Sequence, residues 1–102
     1  MATVMLMKWS SVTPEQYDAA LDAVNWEGDP PDGGIFHVAW FDGGLNVVDV
    51  WESAEDFNRF GSERLMPGIA RLGIEGQPDV TFHDAHRYFD AAAKRAEVTA
   101  GK

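Results

Sequence analysis

Two residues have the chemistry to move a proton within an apolar setting. His37 lies inside the run Ile35 to Phe41 (IFHVAWF), and Asp49 lies inside Leu45 to Glu52 (LNVVDVWE). An ionised carboxylate flanked by Val47, Val48 and Val50 is costly to bury unless it is paired or hydrogen-bonded. An imidazole is the side chain whose charge changes nearest neutral pH. Facing each other, Asp49 would orient His37 for general-base work. Whether they meet depends on the turn between them. A three-residue loop, Asp42-Gly43-Gly44, sets Phe41 against Leu45 and His37 against Asp49, with Cβ atoms about 5 Å apart. A two-residue loop, Gly43-Gly44, slips the register and sets His37 against Val50. The three-residue loop is the favoured reading. The same pair also serves as a buried polar contact that fixes register without catalysis.

His86 is the second candidate base. It lies in Asp79 to Phe89 (DVTFHDAHRYF), read as a strand, where it shares a face with Phe82, Asp84 and Tyr88. His83 is three residues away and so on the opposite face. Arg64 interrupts an apolar stripe of Phe57, Phe60, Leu65, Ile69 and Leu72, and is the candidate to hold an anionic substrate group. Its plainer role is an ion pair with Glu63 at the surface. Met5, Met7 and Met66 read as core filler. With no cysteine in the chain, thiol nucleophiles and disulfides are excluded. No Gly-x-Ser-x-Gly is present, and the Gly pairs lack the strand-to-helix setting of a phosphate loop.

The elements that position these residues follow from periodicity and punctuation. Thr3 to Trp9 is a short apolar strand. Thr13, Pro14 and Gln16 form a capping box with proline at the first helical position, and Tyr17, Ala20, Leu21 and Val24 recur on one helical face to about Asn25. Trp26 to Gly34 is a Pro- and Gly-rich loop. Strands two and three are the two runs carrying His37 and Asp49. Ser53 caps a second helix, which Pro67 divides into two segments and Gly73 ends. The fourth strand is Asp79 to Phe89. Residues 90–102, Ala-rich and charged, form a tail, read as a short helix or frayed chain, outside a single domain of residues 1–89.

This order, βαββαβ, is the ferredoxin-like α+β plan: a four-stranded antiparallel sheet in the order 4-1-3-2 with two helices on one face. Strands one to three are almost continuously apolar, which suits burial on both faces. Two helices cover only one face, so a homodimer is expected to cover the other. His37 and His86 then lie at opposite sheet edges, about 14 Å apart, so no metal site is read. The net charge of −9 makes nucleic acid and anionic membranes poor partners. No apolar run is long enough to span a bilayer. Met1 to Lys8 lacks the pattern of a signal peptide, and a cytoplasmic location is expected.

The string Val47-Val48-Asp49-Val50-Trp51-Glu52-Ser53, followed by Glu55-Asp56-Phe57, with this element order, resembles the dimeric α/β-barrel superfamily. It is most similar there to the branch of antibiotic-biosynthesis monooxygenases and their uncharacterised actinobacterial relatives. The resemblance implies a pocket between the sheet and the helices. Trp51 matches a Trp that the quinol-type monooxygenases carry at the end of strand three; their Asn four residues earlier is Val47 here. A core-packing role for Trp51 is the plainer one. The implied function is binding of an apolar or aromatic small molecule, with Trp40, Trp51, Phe57, Phe60 and Tyr88 as walls and His37 or His86 as base. The activity would be cofactor-independent monooxygenation or polyketide cyclisation, with no cofactor. The alternative is a non-catalytic dimer that binds a ligand such as haem or acts as an accessory protein.

Overall fold

A computed structural model describes the backbone of residues 1–100 and the side chains of residues 1–97. The elements run β1 (Thr3–Trp9), α1 (Pro14–Val24), β2 (Gly34–Phe41), β3 (Leu45–Trp51), α2 (Ala54–Phe60), a π-helical turn (Gly61–Leu65), α3 (Met66–Leu72), β4 (Asp79–Asp84) and α4 (Ala91–Ala100). The four strands form one antiparallel sheet in the order β2-β3-β1-β4, which is the expected ferredoxin-like order read from the other edge.

The caps fall where the sequence puts them. The Thr13 hydroxyl accepts from the Gln16 amide, and the Gln16 side chain accepts from the Thr13 amide at 3.0 Å. Ser53 Oγ accepts from the Asp56 amide at 3.1 Å and starts α2. A π-helical turn separates the two α-helical segments, and Pro67 sits in the first turn of the second, with the backbone still right-handed helical at Leu65 and Met66. Gly73 ends that helix in the left-handed conformation, at φ 68°.

β4 is shorter than expected. It pairs with β1, in a register that sets Thr3 against Asp84; Ala85 N–H then donates to Ala2 O at 2.8 Å. The ladder ends there, and His86 to Phe89 continue without one. Residues 91–100 are helical, the first of the two readings of the tail.

Strand alternation sorts the sheet into two faces. Met5, Met7, Trp9, Leu45, Val47, Asp49 and Trp51 point to the helices, and the first five with Trp51, Val24, Phe57, Phe60 and Ile69 make the core. Leu6, Phe36, Val38, Val48 and Trp40 point the other way, where the helices do not reach. Met66, expected in the core, is half exposed at the start of α3.

Candidate functional site

The hairpin decides the site. Gly43 and Gly44 have φ of 65° and 111°, conformations other residues rarely adopt, and a Cβ on Gly44 would run into the backbone of Ser10. Asp42 N–H donates to Gly44 O at 2.9 Å and closes a three-residue loop. Phe41 therefore pairs with Leu45 and His37 with Asp49, the register that brings the two together.

Asp49 is 4% exposed and uses both carboxylate oxygens. Oδ1 lies 2.6 Å from His37 Nδ1, and Oδ2 accepts from Trp51 Nε1 at 3.0 Å. A carboxylate only accepts, so His37 Nδ1 carries its proton. In the neutral ring Nε2 is then the acceptor, and it receives the Tyr17 hydroxyl at 2.6 Å. The four side chains form one hydrogen-bonded series: Trp51, Asp49, His37, Tyr17. Burial pushes the Tyr17 phenol above its usual value near 10, and the charges of Asp49, Glu27 and Asp18 add to the effect. Tyr17 therefore holds its proton at neutral pH.

Tyr17, His37 and Asp49 of this series line a cavity of about 90 Å³ under α1 and α2, whose surface is almost wholly apolar. The remaining walls are apolar: Met5, Met7, Val24, Trp26, Val47, Phe57, Phe60 and Ile69 among them. Trp26, from the loop after α1, closes one side. Its ring lies 5.4 Å from that of His37, 5.2 Å from Trp51 and 5.7 Å from Phe60.

The expected site residues separate into those on the cavity and those elsewhere. His37, Asp49, Phe57 and Phe60 line it. Trp51 lies behind it at 0% exposed, edge-on to Trp26 and Phe57, and reaches the site only through its N–H to Asp49. Trp40 is paired with Asn46 on the outer face of the sheet, because even-numbered residues of β2 point away from the helices. His86 and Tyr88 follow the end of β4 and are exposed. Arg64 also leaves the cavity. Nη1 and Nη2 donate to Asp29 Oδ2 at 3.1 Å and Asp29 O at 2.7 Å, and its guanidinium lies 5.3 Å over the Phe60 ring. It ties down the loop that carries Trp26 and holds no group inside the cavity.

Sequence reasoning missed Tyr17 and Trp26 as site residues. Tyr17 was legible only as one member of the apolar stripe of α1. A phenol in such a stripe needs a buried partner for its O–H, and that need was the available signal. Trp26 sits in a loop, where periodicity carries no information.

The site does not suit haem. Both ring nitrogens of His37 are engaged, and His86 does not line the cavity.

No protein-family model matches the chain, and no curated protein matches it. Solved structures do. Rv0793 from Mycobacterium tuberculosis is 13% identical, with a TM-score of 0.66 over 88% of this chain and 100% of that one. SnoaB, a cofactor-independent oxygenase from Streptomyces nogalater, is 13% identical, with a TM-score of 0.60 over 85% and 94%. An antibiotic biosynthesis monooxygenase is 16% identical, with a TM-score of 0.54 over 85% and 100%. The chain has the ferredoxin-like fold of these proteins, and the resemblance read from the end of strand three holds at the level of fold.

Proposed function

We propose that this protein binds a small apolar or aromatic molecule in the cavity under α1 and α2 and abstracts a proton from it, as a cofactor-independent monooxygenase or a polyketide cyclase does. The carrying observation is the series Trp51–Asp49–His37–Tyr17, the last three members of which line an otherwise apolar cavity. A carboxylate that fixes a ring tautomer and stabilises the imidazolium is a familiar way to prepare a histidine base. The apolar walls keep the proton acceptor in a low-dielectric setting, where its hydrogen bonds count for more.

Both reactions begin with the same proton loss. In the monooxygenation, a ring CH2 and O2 become C=O and H2O, and the substrate supplies all four electrons, so no cofactor is required. In the cyclisation, the carbanion attacks a carbonyl of the same molecule. The cofactor-independent oxygenase with this fold supports the first reading.

The working unit in this proposal is a homodimer. The outer face of the sheet presents Leu6, Phe36, Val38 and Trp40, each more than a third exposed in the single chain. A contiguous apolar patch of this kind marks an interaction surface, and a second copy offers the matching face.

The test is oxygen uptake and product formation with a panel of one- to three-ring hydroxylated aromatics and enolisable ketones. Turnover that His37→Gln lowers at least a hundredfold, with the fold retained by circular dichroism, is the expected result. Turnover that survives the substitution would remove His37 as the base.

A further inference from the structure

We infer that the loop between α1 and β2 is a gate on the cavity, with Trp26 as its leaf and Arg64 as its latch. This inference rests on the reading of the cavity as a ligand site.

Most of the cavity wall belongs to strands and helices, whose backbones are tied along their length. Trp26 belongs to neither. Residues 26–32 lie between two residues in the left-handed conformation, Asn25 at φ 53° and Gly33 at φ 82°. The Gly33 end is fixed, since its carbonyl accepts from the Glu52 amide at 2.8 Å, just past β3. The other backbone bonds are local: Asp29 N–H to Asn25 O at 2.9 Å and Gly34 N–H to Pro31 O at 3.0 Å. Among the described residues, no hydrogen bond holds the Trp26 indole N–H, and ring contacts with His37, Trp51 and Phe60 keep it in place.

Arg64 supplies the tie across the middle of the loop, through Nη1 to Asp29 Oδ2 and Nη2 to Asp29 O. An unbroken α-helix would set position 64 on the face of Phe57 and Phe60. The π-helical turn intervenes, Leu65 takes the cavity side and Arg64 meets the loop. Single π-turns of this kind often mark functional sites. The latch is built to release. Asp29 is 76% exposed at its side chain, so water competes for the pair. Arg64 Nε is buried and, among the described residues, has no partner, so closure leaves one donor unmet.

A second cavity shows where the gate leads. It holds about 160 Å³ between this loop and α2, with Asp29, Pro30, Pro31, Arg59 and Arg64 among its walls. Phe60 lines both cavities. Trp26 stands edge-on to that ring at 5.7 Å, and the Arg64 guanidinium lies over it at 5.3 Å. Release of Asp29 and a swing of Trp26 away from Phe60 join the outer, polar cavity to the inner, apolar one.

The test uses the full chain, with benzene as the probe. Hydrogen exchange at the Asp29 and Gly34 amides reads the loop, and exchange in the β1–β3 ladder reads the whole fold. NMR line shapes read benzene entry, exit and affinity. Arg64→Met keeps an apolar stem on Phe60 and removes the tie. It should speed exchange at the two loop amides about tenfold, the scale of a guanidinium's bonds to a solvated partner, and leave the ladder unchanged. Benzene should enter and leave faster by a similar factor, with affinity held within about twofold because the closed form still predominates. Asp29→Asn spares the bond to the Asp29 carbonyl. It should act in the same direction by about threefold, and it serves if Arg64→Met does not fold. Unchanged loop amides would overturn the latch. Faster loop amides with unchanged benzene rates would overturn the gate alone and leave the ligand site standing. Faster exit with weakened affinity would make Arg64 a support of the wall and overturn its role as a latch. A wild type that takes up no benzene would overturn the ligand site and the gate together.

Discussion

The two faces of the sheet carry similar residues and different physics. Trp40 and Trp51 are both tryptophans near the ends of neighbouring strands, yet one is 47% exposed and the other 0%. Phe36 and His37 are consecutive, and they point to opposite sides. The inner face is covered by α1, α2 and α3, so a polar group there has to find its partners within the chain; Asp49 finds His37 and Trp51. The outer face has no such cover, and its apolar rows, Phe36-Val50-Val4 and Val38-Val48-Leu6, run straight across three strands. Polar groups are buried on one side and apolar groups exposed on the other, and the proposed function rests on that contrast.

Substitutions on matched positions separate the faces most clearly. Trp51→Ala should cost about 3–5 kcal/mol, the usual loss for a large aromatic side chain deleted from a core, and should also leave Asp49 Oδ2 without its donor. Urea unfolding would show it as a large drop in midpoint at unchanged slope. Trp40→Glu should leave that midpoint within about 0.5 kcal/mol for the isolated chain, as expected of an exposed position. It should instead convert a dimer to a species of 11.3 kDa in sedimentation. A dimer that persists with Trp40→Glu would move the interface off this face.

A smaller effect sharpens the inner face. The unfolded chain gives up the Tyr17 proton near pH 10, and the folded chain gives it up only at higher pH. Ionisation of Tyr17 therefore favours the unfolded state, and stability should fall as pH rises above 10. Tyr17→Phe should flatten that fall, which unfolding curves between pH 8 and 11 would detect. An unchanged pH dependence would place the phenol in water and outside the cavity wall.

Much of the fold was legible because it depends on local rules. The capping box at Thr13, the Ser53 cap, the Pro67 division and the Gly73 stop are all satisfied within a few residues of chain. The hairpin register was legible as one of two alternatives, since two adjacent glycines allow either turn; the approach of Gly44 to the backbone of Ser10, in the turn after β1, fits the longer loop. The end of β4 was illegible for a related reason. His86-Arg87-Tyr88-Phe89 looks like strand, but a strand needs a neighbour, and β1 stops at Thr3. Arg64 was misread because a break in a helical stripe does not say whether the side chain turns toward the cavity or toward Asp29 in a distant loop.

By itself, the sequence determined the order and kind of the elements, the pairing that makes His37 and Asp49 possible partners, and the surplus of apolar surface that the helices cannot cover. These follow from periodicity, capping and turn chemistry, which act between near neighbours. Only the tertiary structure decided which aromatics surround the cavity, that Trp51 braces the carboxylate from behind, and that Tyr17 reaches the free nitrogen of His37 across 20 positions of chain. Those contacts join α1 to β2 and β3 to itself through space. The packing angle of a helix on a sheet, set by the sum of many side chains, is what brings them within hydrogen-bond distance.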